Sequence, residues 1–249
     1  MTTKIWAHRG ASAAAPENTM TAFELAVKQG ADGIELDVHL SADHELVVTH
    51  DENCRRVTGT DGMVGAMTLQ QLRQLNFAQF RAGFDSQSIP TLADVFDLIR
   101  PTGMMINVEL KNSLFFYPGL EEKVLDLTAA YGMQDQVCLS SFNHASMVKA
   151  SRLIADRTLG IGCGLLYSAG LFEPWDYARR IGVSALHPHL ANLLIPNLVQ
   201  DCHAAGIAIH AWTIDQPDHL RQTLLLGIDA IITNVPDQAL VLRHQMNLD

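Results

Sequence analysis

The sequence predicts an α/β protein: a (β/α)8 TIM barrel with a small insertion after the second strand. Three observations carry this expectation. Short apolar runs alternate with amphipathic stretches eight times along the chain, counting the inserted stretch once, which is the pattern of parallel strands joined by helices. A length of 249 residues with 48% apolar content suits one such barrel and its core. Polar residues able to do chemistry gather where the early strands end, and that end of a barrel is where a site is built.

The first strand is the apolar run at residues 5–8, with Arg9-Gly10 as its exit. Asn18 or Thr19 caps a helix through Phe23, Leu25, Ala26 and Val27, which stops at Gly30. The second strand, residues 33–39, alternates strictly. Ile34, Leu36 and Val38 lie on one face, and Glu35, Asp37 and His39 on the other. Two carboxylates side by side repel each other unless a cation lies between them. A solvent-facing edge strand is the plainer alternative. Against it, Ala31-Asp32-Gly33 reads as a turn out of a helix, and strands so placed in a parallel sheet are covered on both sides.

Residues 45–50 bring the chain back as another extended segment. Residues 51–88 then exceed any minimal crossover. They hold Gly59, Gly62 and Gly65, with Thr68 capping Leu69-x-x-Leu72-x-x-Leu75. A structureless loop of that length is unusual, so a small subdomain is expected there within a chain that is otherwise one domain, 1–249. Pro90-Thr91 opens a helix through Ile99. The later strands are expected at 105–110, 137–140, 158–166, 185–187, 207–213 and 230–233. Their helices are expected at 119–131, 144–154, 171–181, 195–205, 217–226 and from Pro236 onward.

Acidic residues outnumber basic ones, 27 to 17, for a net charge of −10. That charge argues against nucleic acid or an anionic membrane as a partner, and it leaves an anionic small molecule dependent on a metal or on local cations. Cys54, Cys138, Cys163 and Cys202 are far apart with no C-x-x-C pair, which fits free thiols in a reducing compartment. No signal-peptide pattern or membrane-spanning run is read, so a cytoplasmic location is expected; the oligomeric state is left open.

Glu35, Asp37 and Glu109 converge from neighbouring strands. An all-oxygen ligand set of this kind suits Mg²⁺ or Ca²⁺, with Mn²⁺ a third choice, and not zinc. His8 and His50 stand by as acid–base imidazoles, and Arg9 and Lys111 as fixed cations. A metal with two such cations is a site for a phosphoryl group.

His8-Arg9-Gly10, Pro16-Glu17-Asn18-Thr19, Glu35-Leu36-Asp37, His50-Asp51, Pro90-Thr91-Leu92 and Glu109-Leu110-Lys111 resemble, in order and spacing, the signature of the glycerophosphodiester phosphodiesterase family, in its bacterial cytoplasmic form. The resemblance spans nearly the whole chain. It implies that His8 and His50 are the catalytic pair, that Glu35, Asp37 and Glu109 hold one divalent ion, and that Arg9 and Lys111 bind phosphate. The products would be sn-glycerol 3-phosphate and an alcohol. The family is similar in barrel and two-histidine mechanism to the bacterial phosphatidylinositol phospholipases C, which implies His8 as base, His50 as acid and a cyclic phosphate on the path. Asp215 stands where many relatives have Asn, and no role is given to it.

Other readings stay open at this stage. Trp212 either stacks on the substrate or packs the barrel. Residues 113–117, with Phe115 and Phe116, form a lid or pack on the insertion. Asn18 caps its helix or serves the site. His39, His44, His144, His203, His219 and His244 are read as surface or structural; His187, His189 and His210 are undecided. A metal-dependent barrel aldolase or lyase would not need two histidines, and a non-catalytic phosphate binder would need only the cations.

Overall fold

The structure, a computed structural model, describes residues 2–249. Nine strands are found among them: β1 (Lys4–His8), β2 (Gly33–Leu40), β3 (Leu46–Val48), β4 (Met105–Leu110), β5 (Val137–Ser141), β6 (Gly162–Tyr167), β7 (Ala185–Pro188), β8 (Ala208–Ala211) and β9 (Ala230–Thr233). Parallel pairing runs β1–β2–β4–β5–β6–β7–β8–β9 and closes from β9 back to β1, which makes the eight-stranded barrel. The return segment is β3, which pairs antiparallel with β2 at the barrel's upper rim.

The outer ring contains α1 (Met20–Gln29), α4 (Leu92–Ile99), α5 (Leu120–Tyr131), α6 (His144–Arg157), α7 (Pro174–Ile181), α8 (Leu198–Ala204), α9 (Pro217–Leu226) and α10 (Pro236–Gln245), while α2 (Arg55–Thr58) and α3 (Leu69–Leu72) are short turns of the insertion. The apolar face of β2, Ile34, Leu36 and Val38, is fully buried against this ring together with Phe23, Phe96 and Leu92. Thr91 caps α4 reciprocally with Asp94, as its Pro-Thr entry suggests. No helix among the described residues is long and apolar enough to cross a membrane.

Several boundaries differ from the sequence expectation for local reasons. Thr158 takes a left-handed conformation that ends α6, so the sixth strand starts at Gly162 and not at 158. Before α7 and α8 the chain turns into the helix only at Pro174 and, after a short 3₁₀ turn at Leu190–Leu194, at Leu198. The insertion is mostly irregular. Its Cys54, Val64, Leu72 and Phe77 pack in a small cluster with Val47 of β3 and Ile89 just beyond the insertion. Arg81 ties it to the loop after β1 by donating to the carbonyls of Ser12, Ala13 and Ala15.

The barrel interior is partly polar. His210 packs at a tilt against Trp6 with ring centroids 4.5 Å apart and meets His187 at 2.9 Å between ring nitrogens. Gly164 makes this possible, because a Cβ there would lie 2.2 Å from His187 Nε2. Burial pushes His210 down to about 4 and His187 well below its ordinary value. Both rings are therefore neutral in the folded chain but take up protons near pH 6.5 when it unfolds. Their contribution to stability is fully present above that pH and is lost as pH falls toward 4. Tm should be lower at pH 5 than at pH 7.5 by roughly 5 °C or more. A calorimetric scan at the two pH values checks this; equal Tm values would contradict it.

Candidate active site

Parallel register sets Glu35 beside His8, and Asp37 of β2 beside Glu109 of β4. One oxygen from each of Glu35, Asp37 and Glu109 lies within 4.8 Å of the others, and all three residues are buried. Burial, then the neighbouring Asp37 and Glu109 charges, raise Glu35 well above the usual carboxylate range. Burial likewise raises Glu109, with Lys111 opposing it. At Asp37 the same burial is outweighed by Lys111 and Arg9, which hold its carboxyl well below that range.

The cluster thus carries more negative charge than its surroundings neutralise, and Asp37 Oδ1 has no hydrogen-bond partner. A hard divalent cation fits this donor set: it would meet three carboxylates and relieve their repulsion.

Arg9 and Lys111 both face these acids. Lys111 Nζ is 2.8 Å from Glu109 and 3.6 Å from Asp37; Arg9 Nε is 3.4 Å from Asp37. The Arg9 backbone N–H also donates to the Glu35 carboxylate at 3.0 Å. Arg9 and Asn18 both sit at positive φ, 56° and 54°, a conformation that costs about 1–2 kcal/mol for a residue such as Arg and is more readily adopted by Asn. The Asn18 N–H holds the Arg9 carbonyl, and its side chain donates to Asp37 at 2.8 Å. Thr19, not Asn18, caps α1. Backbone strain of this kind concentrates at functional sites.

The two histidines have different partners. His8 Nδ1 lies 2.7 Å from Asn234 Oδ1. Asp215 accepts both the Asn234 side-chain N–H at 2.6 Å and its backbone N–H at 2.8 Å, so the amide must turn its oxygen to His8. That oxygen only accepts, so His8 carries its proton on Nδ1 and leaves Nε2 bare, 3.8 Å from Glu35. Burial and Arg9 push His8 down to about 4, which keeps it neutral.

His50 instead meets a carboxylate, Asp51 Oδ1, at 2.6 Å. Arg56 bridges Asp51 to Glu17, and Glu17 also accepts from Arg9 at 2.9 Å, so an ion-pair chain joins the loops of the two histidines. His8, Arg9, Glu35, Glu109 and His50 border a cleft that also meets Asn107, Phe142 and Trp212. Trp212 is anchored through its indole N–H to the His187 carbonyl at 2.8 Å and stands edge-on to Phe142.

The profile of the Glycerophosphoryl diester phosphodiesterase family matches residues 8–238. The chain belongs to that family. It is 40% identical over 238 residues to the glycerophosphodiester phosphodiesterase of Caldanaerobacter subterraneus subsp. tengcongensis, covering 95% of this chain and 96% of that one. It is 36% identical over 247 residues to the enzyme of the same name from Bacillus altitudinis, covering 98% and 99%. Among solved structures, an Oleispira antarctica phosphodiesterase in complex with the product sn-glycerol-3-phosphate superposes with a TM-score of 0.82 at 29% identity, covering 98% and 97%. The fold is also that of a Silicibacter pomeroyi protein, with a TM-score of 0.90 at 22% identity over 100% and 95% of the two chains.

The glycerophosphoryl diester phosphodiesterase family is one of phosphoric diester hydrolases, which leaves the lyase and binder readings without support. The sequence reading of this family member did not find Asn234, although it directly follows β9 and strand-end residues are the ones to inspect. It left Asp215 without a role, and the structure gives it the orientation of Asn234. Of the surface and structural readings of His39, full burial on the carboxylate face of β2 excludes the first. His210 lies in the barrel interior, against Trp6 and His187. Of the loop at 113–117, Tyr117 packs on Gly65 of the insertion while Leu114 and Phe116 stay exposed.

Proposed function

We propose that the chain hydrolyses glycerophosphodiesters to sn-glycerol 3-phosphate and an alcohol, with His8 and His50 as the acid–base pair and Glu35, Asp37 and Glu109 as ligands of one divalent ion. The observation that supports this best is the unequal backing of the two histidines over one carboxylate cluster. An imidazole backed by a neutral amide and buried stays unprotonated and accepts a proton. One hydrogen-bonded to a carboxylate is held in place to donate a proton. His8 is therefore the base of the first step and His50 its acid.

When bound, Mg²⁺, Ca²⁺ or Mn²⁺ would offset charge on the phosphoryl oxygens and acidify the attacking hydroxyl. His8 Nε2 takes the proton of the substrate's glycerol 2-hydroxyl as that oxygen bonds to phosphorus. The bond from phosphorus to the alcohol breaks, and His50 protonates the departing oxygen. In the second step His50 takes a proton from water, which opens the five-membered cyclic phosphate, and His8 returns its proton to the 2-oxygen. Arg9 and Lys111 face the phosphate charge, and Trp212 offers a flat wall to the glycerol or the alcohol.

Release of sn-glycerol 3-phosphate from choline, ethanolamine and glycerol diesters tests the activity itself. The cyclic route is tested with the 2-deoxy analogue of a turned-over diester. It should bind yet react at least roughly a hundredfold more slowly, since a tethered nucleophile has a large effective-molarity advantage. Equal turnover of the analogue would make water the first nucleophile.

A further inference from the structure

His39 stands one pleat beyond Asp37 on β2, fully buried, with both ring nitrogens engaged. Nε2 is 3.1 Å from the His50 carbonyl oxygen, and Nδ1 is 3.0 Å from the Tyr117 hydroxyl. A carbonyl can only accept, so Nε2 carries the ring proton. Nδ1 is then a lone pair, and the Tyr117 O–H donates to it. The carbonyl in question belongs to the peptide joining His50 to Asp51, whose side chains form the 2.6 Å pair. Holding that peptide plane therefore holds the imidazole and its carboxylate together.

Tyr117 is itself fixed. Its ring meets His39 edge-on at 5.6 Å, and Gly65 of the insertion packs so close that a Cβ there would come within 3.0 Å of it. The loop after β3 and the loop after β4 thus meet at one imidazole, and the insertion packs on Tyr117 behind it.

We propose that His39 is a positioning residue: the chain Tyr117 O–H to His39 to the His50 carbonyl sets the orientation of His50 and Asp51 toward the substrate. This rests on the reading of His50 as an acid–base group. Neither His39 nor Tyr117 touches the metal ligands' oxygens in that chain, so its loss should disturb proton transfer more than binding. His50→Ala, His39→Leu, His39→Gln and Tyr117→Phe separate the possibilities when kcat, KM and Tm are measured for each.

The expected result is a kcat lowered roughly 10- to 100-fold in His39→Leu, the size typical of misplacing a catalytic group or losing its supporting partner, with KM little changed. His39→Gln should recover much of that loss, since its amide N–H can reach the same carbonyl. Tyr117→Phe should show a smaller loss of the same kind. An active His50→Ala would overturn the two-histidine reading instead. With His50→Ala inactive, a wild-type kcat in His39→Leu with a lowered Tm would make His39 merely structural and overturn the proposal. Equal impairment of His39→Leu and His39→Gln would also overturn it, because the hydrogen bond would then not be the cause. Should His39→Leu fail to fold, an unchanged kcat in Tyr117→Phe overturns the chain on its own.

Discussion

Glycerophosphodiester hydrolysis should fall to background after exhaustive chelation and return, to different degrees, with Mg²⁺, Mn²⁺ or Ca²⁺. The expectation follows from the charge of the site. Three buried carboxylates share a space of a few ångströms, and Glu35 and Glu109 are raised because burial and their neighbours disfavour their ionised forms. Lys111 and Arg9 stabilise mainly Asp37. A dication completes the neutralisation that those two cations leave unfinished. Asp37→Asn removes one charge from the ligand set while keeping its shape and an oxygen for Asn18. Metal affinity, read by calorimetric titration, should weaken at least about 10- to 100-fold. The fold should survive, since Asp37 lies at the functional end of its strand and not in the packing that closes the barrel. Full activity in a chelated sample shown by elemental analysis to be free of metal would end this reading.

The carboxylates were legible in the sequence because a strand's period is two. Once residues 33–39 read as a covered parallel strand, Glu35 and Asp37 had to share a face, and Glu109 followed from the same alternation in β4. The barrel was legible for the same kind of reason, through local patterns repeated along the chain. Contacts between segments far apart carry no local pattern. Asn234 reaches His8 across 226 positions, and only the closure of β9 against β1 brings them together. His39 shows the same limit: its alternation put it with the carboxylates, but its burial depends on Tyr117 and the insertion folding over it. Boundaries missed by a few residues, as at Thr158, reflect a cap whose left-handed conformation no glycine announces.

Replacing His8 or His50 with Ala should each lower kcat roughly 10²–10⁴-fold, the usual worth of a general acid or base. The two losses have different origins. Without His8, the bare Nε2 that faces Glu35 and the cleft is gone, and no other neutral imidazole borders that cleft on the β1 side. Without His50, Asp51 keeps its pairing with Arg56 and through it with Glu17, so the loop retains its ties but has no proton to give. Because both groups act on one transition state, the double variant should lose far less than the product of the single losses. Asn234→Leu should reproduce part of the His8 effect by freeing the ring to turn and choose the other tautomer. Asp215→Leu should do so more weakly, since it acts only through Asn234. Single-turnover measurement on a natural diester separates these effects on chemistry from product release. If either single alanine variant kept near wild-type kcat there, that histidine would lose its role. Fully multiplicative losses in the double variant would mean that the two groups act in separate steps.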